Sequence, residues 1–372
     1  MPIVHIAGGG IAGLVAGIVF ARRGWQATIH ERSPELRANG NGFPIFENGL
    51  RILEALGLGD RIESCGHRLE RWSIYRSSGE KATEYEPFDA TGGRIVMFHR
   101  QALVDLLVGT AQSSGVTIMP GSRIVGADSD GAILLEGDRR IEADLVVGAD
   151  GIRSAVRRAV MGDLPLGAHR KGALRLLIPI EPGDFPDGNT RVGREFNDPS
   201  GRRIGLLPCS PTLMYMILVN LLTDPEAGRQ PVDVELWSAT FPMLRRYIER
   251  IGEGGHYDVY HSIFPPAWSA GRCALVGDAA HGMTPALGQG ANTAMMTAYA
   301  LAASVSSGLS PQEDLREWER RLRPLVDFTQ KYAEGITSGR LDPNNEIFFS
   351  DPGLRRLLEA DIPAEFGAAI AA

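Results

Sequence analysis

Three consecutive glycines set directly behind a buried strand leave this chain few folds to choose from. Ile3–Ala7 is a short apolar run, Gly8-Gly9-Gly10-Ile11-Ala12-Gly13 follows, and an apolar stretch then continues to about Arg23, closed by Gly24. That order reads as buried strand, tight turn and buried helix. Ala27–His30 supplies a second strand ending at Glu31 and Arg32. The spacing matches a dinucleotide fingerprint: Gly8 permits the turn, Gly10 admits a pyrophosphate to the backbone, and Gly13, beside Ala12, allows close helix–strand packing. At the end of the second strand, the Glu31 carboxylate is placed to accept hydrogen bonds from ribose hydroxyls, with Arg32 beside it as a further contact. A structural glycine turn with a solvated Glu31 is the alternative. The agreement of strand, turn, helix, strand and acid favours the nucleotide.

Composition narrows the partners. A net charge of −7 over 372 residues argues against nucleic acid and carries no membrane-surface signal. Ile3–Phe20 is too interrupted by glycine, and too poor in preceding basic residues, to read as a secretory leader. Cys65, Cys209 and Cys273 are odd in number and far apart, which fits neither disulfides nor metal-ligand spacing, so a reducing, cytoplasmic setting is expected. None of the eight histidines is spaced as a metal ligand, and no metal is expected.

A second glycine-rich stretch carries an acid. Cys273–Val276 reads as a strand ending at Gly277-Asp278, a loop with Pro285, Gly288 and Gly290 follows, and a helix begins near Gln289–Asn292. The first N–H groups of a helix are unpaired and carry roughly half a positive charge, suited to an anion or a developing anion. Leu145–Val147 is a third buried strand, leading into Gly148-Ala149-Asp150-Gly151. His99-Arg100-Gln101 opens an amphipathic helix. Simple NAD dehydrogenases lack such distant acid-bearing strand ends, so FAD is the expected ligand.

With these three ordered motifs, Gly8–Gly13 with Glu31, Asp150-Gly151 and Gly277-Asp278, the chain resembles the class A flavoprotein monooxygenases, the group with the para-hydroxybenzoate hydroxylase fold, from about residue 3 to about 330. The resemblance implies an α/β fold: a Rossmann-like FAD domain of the glutathione-reductase type, a second α+β domain on an antiparallel sheet, and C-terminal helices. It implies Asp278 on the ribityl hydroxyls, Arg100 near the pyrophosphate, and Asp150 toward both FAD and the nicotinamide. It also implies Gly288 and the N–H groups of Gly290, Ala291 and Asn292 at the flavin pyrimidine edge, with Pro285 where oxygen reacts. Without the resemblance, Arg100 is equally a surface helix residue. The implied reaction is reduction of FAD by NADH or NADPH, formation of a C4a-hydroperoxide with O2, and hydroxylation of an electron-rich ring, which protein groups must orient and help to ionise. A dehydrogenase or halogenase of the same fold is the rival reading. The halogenase lacks support, since no Trp-x-Trp-x-Ile-Pro stretch occurs.

The segments Ser33–Ala38, Asn48–Arg51, Pro208-Cys209, Glu235–Trp237 and Phe241-Pro242 sharpen the resemblance toward the flavin oxygenases that open the ring of 2-methyl-3-hydroxypyridine-5-carboxylic acid. It implies a substrate pocket with Arg203 and Tyr215. Arg203 precedes the apolar run Ile204–Leu207 and is either solvated or an inward carboxylate clamp. Tyr215 is either a core residue or a phenol over the ring. Past Gly42, where that group has a tyrosine, this chain has Pro44, Phe46 and Glu47, which leaves hydroxylation and ring opening both open. Pro44 and Phe46 are expected at the substrate; Glu47 reads either as a contact to a substrate nitrogen or hydroxyl or, in preference, as a polar loop residue. The expected ligand is a small aromatic or N-heteroaromatic acid; oligomeric state is not legible.

Strand-like segments at Trp72–Tyr75, Ala173–Ile180, Arg203–Leu207, Met214–Leu218 and Tyr257–Ile263 suggest the second domain. The expected division is 1–70, 95–165 and 260–310 for FAD, 71–94 and 166–259 for substrate, and 311–372 for C-terminal helices. Residues 311–336 read as one helix, and the last twenty or so as a weak alanine-rich tail.

Overall fold

The computed structural model describes residues 1–36, 42–85, 93–185, 188–305, 311–339 and 351–367. Arg37 and Ala38 of the Ser33–Ala38 segment, Pro186-Asp187 of the turn after Ile180, residues 86–92 and 306–310 of the expected division, and the final alanines lie outside the described residues.

The nucleotide half is a six-stranded sheet ordered Ser269–Ala270, Cys273–Leu275, Leu145–Gly148, Ile3–Ala7, Gln26–Glu31 and Thr117–Pro120, parallel throughout except for its first pair. Its central strands are buried along their length, as a parallel sheet covered on both faces requires. The helix Ile11–Arg22, buried from Ala12 to Phe20, packs against the helix Gly290–Ser304. Gly277 sits at that crossing: a Cβ there would stand 2.9 Å from Ala12 Cβ. Consequently Gly8, Ala149 and Gly277 all follow carboxyl ends of adjacent strands, the side on which open α/β sheets bind ligands.

The second half is a seven-stranded sheet ordered His256–Ser262, Gly167–Pro179, Leu213–Leu221, Arg203–Pro208, Val192–Asn197, Arg71–Arg76 and Lys81–Tyr85. It is antiparallel apart from the Arg71–Arg76 and Val192–Asn197 pairing, which is parallel. Side chains alternate between faces. Leu174, Leu176, Ile178, Ile204, Leu206, Met214, Met216 and Leu218 pack on Trp237 and Phe241 in a core of their own. Arg175, Arg203, Leu207, Tyr215 and Ile217 take the opposite face. The strand His256–Ser262 belongs to this sheet, so an FAD piece starting at 260 cuts through it.

A small third sheet, Gly42–Phe46, Ile95–His99 and Gly66–Leu69, joins the halves. Pro44 is tolerated there because its strand is an edge. The helix Pro311–Thr337 returns to the core, with Trp318 Nε1 donating to Thr297 O at 3.2 Å. Two further C-terminal helices follow, Pro352–Glu359 and Ile362–Phe366. Each has an aspartate cap. Asp351 accepts from Gly353 N and Leu354 N, and Asp361 from Ala364 N.

Candidate active site

One cavity of about 430 Å³ runs from the glycine turn to the inner face of the seven-stranded sheet. At its nucleotide end, Gly8 has a φ of +100°, and a Cβ on it would lie 2.5 Å from Ala149 O. A Cβ on Gly13 would lie 2.0 Å from Gly8 O, so helix and turn touch through backbone. Gly10 and Gly290 differ: nothing lies within 4 Å of a Cβ on either, and both border the cavity, as does Ala12. Glu31 accepts from Gly9 N through one oxygen and from Ser33 N through the other, both at 2.8 Å. The acid therefore locks the turn while each oxygen keeps a lone pair for a hydroxyl. Arg32 is exposed and is not part of the cavity wall.

Asp278 opens the short helix Asp278–His281 after Gly277, whose φ is +59°. Its side chain is open to the cavity, and the protein packed around that space raises its carboxyl pKa against the pull of the Arg100 guanidinium. Arg100, first residue of the helix Arg100–Ser113, borders the same space. An acid and a guanidinium thus border one space. Asp150 is placed differently. Its carboxylate accepts from Ser154 Oγ at 2.5 Å, Ala155 N at 2.6 Å and Val156 N at 3.3 Å, capping the helix Ala155–Met161, and its neighbours Ala149 and Gly151 border the cavity in its stead.

The loop before the helix Gly290–Ser304 is held by side chains that sequence spacing does not reveal. Asn292 Oδ1 accepts from Phe46 N at 2.9 Å, and its Nδ2 donates to Gly288 O and Pro44 O. Gly288 has a φ of +66°, and a Cβ there would lie 3.0 Å from Pro44 Cγ. Pro285, Gly288, Pro44 and Phe46 are thereby gathered on one wall, with Gly290 and Ala291 presenting the start of the helix. Gln289 Oε1 accepts from Asn48 Nδ2, while its Nε2 is buried without a partner among the described residues.

At the far end stand Arg203 and Tyr215, joined by residues the sequence did not single out: Arg175, Glu195, Trp72, and Leu354 and Leu358 from the C-terminal helices. Arg203 does not stand free, because its Nη2 donates to Glu195 Oε1 at 2.9 Å. Arg175 Nη1 donates to Asp258 at 3.3 Å, and the Nε of both arginines is buried without a partner among the described residues. Burial pushes the Tyr215 phenol up, against the pull of Arg175, so it stays protonated as a donor. Glu47 is not in a loop. It begins the helix Glu47–Ala55 and accepts three hydrogen bonds from Arg94, at 2.8, 2.9 and 2.9 Å, which hold its carboxyl low against burial. The pairing of strand Gly42–Phe46 with Ile95–His99 carries Arg94 there, and sequence separation hid it. The strand Val192–Asn197, Val-Gly-Arg-Glu-Phe-Asn, has no apolar–polar alternation that would have marked Glu195.

No helix among the described residues is long and apolar enough to cross a membrane. Among them, no cluster of three or more His, Cys, Asp or Glu is placed to hold a metal ion.

A family model described as an FAD binding domain matches residues 2–326. The chain is 31% identical over 328 residues to a 2-heptyl-3-hydroxy-4(1H)-quinolone synthase of Mycobacteroides abscessus, covering 88% of this chain and 87% of that one. It is 29% identical over 351 residues to 3-amino-4-hydroxybenzoate 2-monooxygenase of Streptomyces cremeus, covering 90% and 86%. The structure of 2-methyl-3-hydroxypyridine-5-carboxylic acid oxygenase, in its tetrameric form, superposes with a TM-score of 0.90 over 98% of both chains at 32% identity. The open glycines, the Asp278 and Arg100 side chains on one cavity and the helix start fit an FAD, and the match spans nearly the whole fold. The chain belongs to the FAD binding domain family and, within it, to the FAD-dependent aromatic monooxygenases.

Proposed function

We propose that this protein uses NADH or NADPH and O2 to hydroxylate, or oxidatively open, a hydroxylated aromatic or N-heteroaromatic acid. Bound FAD would supply the two-electron reduction by the nicotinamide and the activation of oxygen. The chain supplies the rest. Glu31 would take the ribose, Arg100 and Asp278 the pyrophosphate and ribityl chain, and the N–H groups of Gly290, Ala291 and Asn292 the edge of the ring where negative charge develops. Asp150, committed to its helix, would act on the cofactor only through the backbone it positions. Arg203 and Arg175 would face the substrate's acid group, and the Tyr215 phenol would orient the ring.

The observation that carries this reading is the single cavity in which the open glycines and Asp278 share walls with Pro285, Arg203 and Tyr215. Purified protein should be yellow, should oxidise NAD(P)H faster with hydroxylated benzoates, pyridines or anthranilates, and should incorporate labelled oxygen from O2 into product. A colourless protein that cannot be reconstituted with FAD, or product without labelled oxygen, defeats the reading. Arg203→Met should weaken binding of an acid substrate at least about tenfold, since charge-assisted bonds contribute roughly 1.5–3 kcal/mol, with flavin content unchanged.

The Glu195–Arg203 pair favours a second reading, in which the same chemistry acts on an uncharged N-heteroaromatic ring. That the Mycobacteroides relative is a quinolone synthase supports it.

A further inference from the structure

Glu195 is an acid in the cavity wall that neither the flavin cradle nor a carboxylate substrate uses. Its side chain is 9% exposed and makes one hydrogen bond among the described residues, to Arg203. Strand register explains why these groups meet. Glu195 lies opposite Gly205, Gly205 opposite Ile217, and Ile217 opposite Arg175, in one row across the sheet. Gly205 puts no side chain in the middle of that row, where a Cβ would come 2.6 Å from Ile217 Cγ2. The gap lets Arg203 and Glu195 converge from neighbouring strands.

The charges on this floor are already paired, Arg203 with Glu195 and Arg175 with Asp258. Lys171, further along the Arg175 strand, is pushed toward neutrality by burial and by Arg203 and is not part of the cavity wall. An incoming carboxylate would meet the Glu195 carboxylate or would have to displace it from Arg203, and breaking a buried ion pair leaves an uncompensated charge. A ring that donates an N–H or O–H meets an acceptor instead. The rest of the wall suits an apolar substituent, with Trp72, Ile336, Leu354 and Leu358 bordering the same space.

We propose that Glu195 receives the hydrogen bond, and then the proton, of the ring N–H or O–H of an uncharged N-heteroaromatic substrate of the 4-quinolone or hydroxypyridine class. This rests on the second reading above. The N–H or O–H bond breaks, the proton bonds to a Glu195 carboxylate oxygen, and the electron pair stays on the ring. Arg203, its pairing with Glu195 weakened, then faces the negative charge left on the ring. The ring enters oxygenation as the electron-rich partner that the reaction requires.

The test compares wild type, Glu195→Gln and Glu195→Asp on two probes, 2-heptyl-4(1H)-quinolone and 3-amino-4-hydroxybenzoate. Flavin content, kcat and KM for stimulated NAD(P)H oxidation, and oxygenated product are measured for each. Wild type should prefer the quinolone. Glu195→Gln should lower quinolone kcat about a hundredfold, within the range of a lost general base, with a smaller change in KM. The same variant should bind the benzoate more tightly, because Arg203 is released, and Glu195→Asp should recover part of the quinolone rate. Equal changes on both probes, an unaltered quinolone rate, or a wild type stimulated only by the benzoate or by neither probe overturns the proposal. If Glu195→Gln does not fold, Glu195→Asp carries the test alone. Its quinolone turnover must then fall at least about fivefold more than its benzoate turnover, because the shortened acid is drawn back from the ring. A colourless wild type is the failure of the flavin reading instead.

Discussion

Glycines in this cradle serve two ends, and substitution separates them. A Cβ on Gly13 would meet Gly8 O at 2.0 Å, backbone against backbone, so neither side can yield cheaply. Gly13→Ala should cost about 1–3 kcal/mol of stability, the range for overpacking, and show a lowered melting temperature. Gly10 has open space around it. Gly10→Ala should melt as wild type does while its FAD Kd rises at least about tenfold, checked by flavin fluorescence titration; unchanged affinity would remove Gly10 from the binding surface. A different residue effect concerns pH. His5 Nδ1 and His30 Nε2 lie 2.9 Å apart, and His30 Nδ1 bonds Ser122 Oγ. Burial, then His5 and Arg139, lowers the His30 pKa from 6.5 to about 4. Because the folded value is depressed, its contribution is complete above pH 6.5 and is lost as pH falls toward 4, up to roughly 3 kcal/mol. Urea midpoints should drop across that window in wild type and less in His30→Asn. Equal slopes would show that the imidazole pair does not set the acid limit.

At the level of elements, the strands and helices around the cavity are joined by side chains distant in sequence. Asn292 and Phe46 are separated by 246 positions, yet one amide satisfies Phe46 N, Pro44 O and Gly288 O. Asn292→Ala leaves those buried groups unpaired and should cost about 1–3 kcal/mol each where no water replaces it, read as a lower melting temperature together with weaker flavin binding. Asp150 belongs to a helix start. Asp150→Ala should cost about 1–2 kcal/mol, as lost caps do, and the protein should stay yellow. If flavin affinity falls well beyond that stability loss, the carboxylate contacts the cofactor directly. Periodicity was enough to anticipate the strand Ile3–Ala7 and the helix through 311–336, because burial on a fixed face writes itself into residue order. The strand Gly42–Phe46 escaped, since an edge strand carrying Pro44 has no such pattern.

Across the whole molecule, the cavity is closed by helices that follow the nucleotide half by some fifty residues. Leu354 and Leu358 lie in its wall and are almost fully buried. Removing residues 351–372 should admit water, so product formed per NAD(P)H consumed should fall while flavin stays bound; full coupling in the truncated protein would show that these helices do not seal the site. The motif glycines, Glu31, Asp278 and the apolar alternation of the strands specify two sheets and a nucleotide edge, because turn geometry, strand-end position and face burial are local properties carried by a few neighbouring residues. Fold class and cofactor were legible on that basis. The polar pairing inside the cavity was not. That Arg203 is held by Glu195, that Glu47 is spent on Arg94, that Asp150 caps a helix and that the C-terminal residues roof the site all depend on which strands lie side by side. Charge pairing is set by distance in space, and chain order says little about distance once a sheet has shuffled its strands.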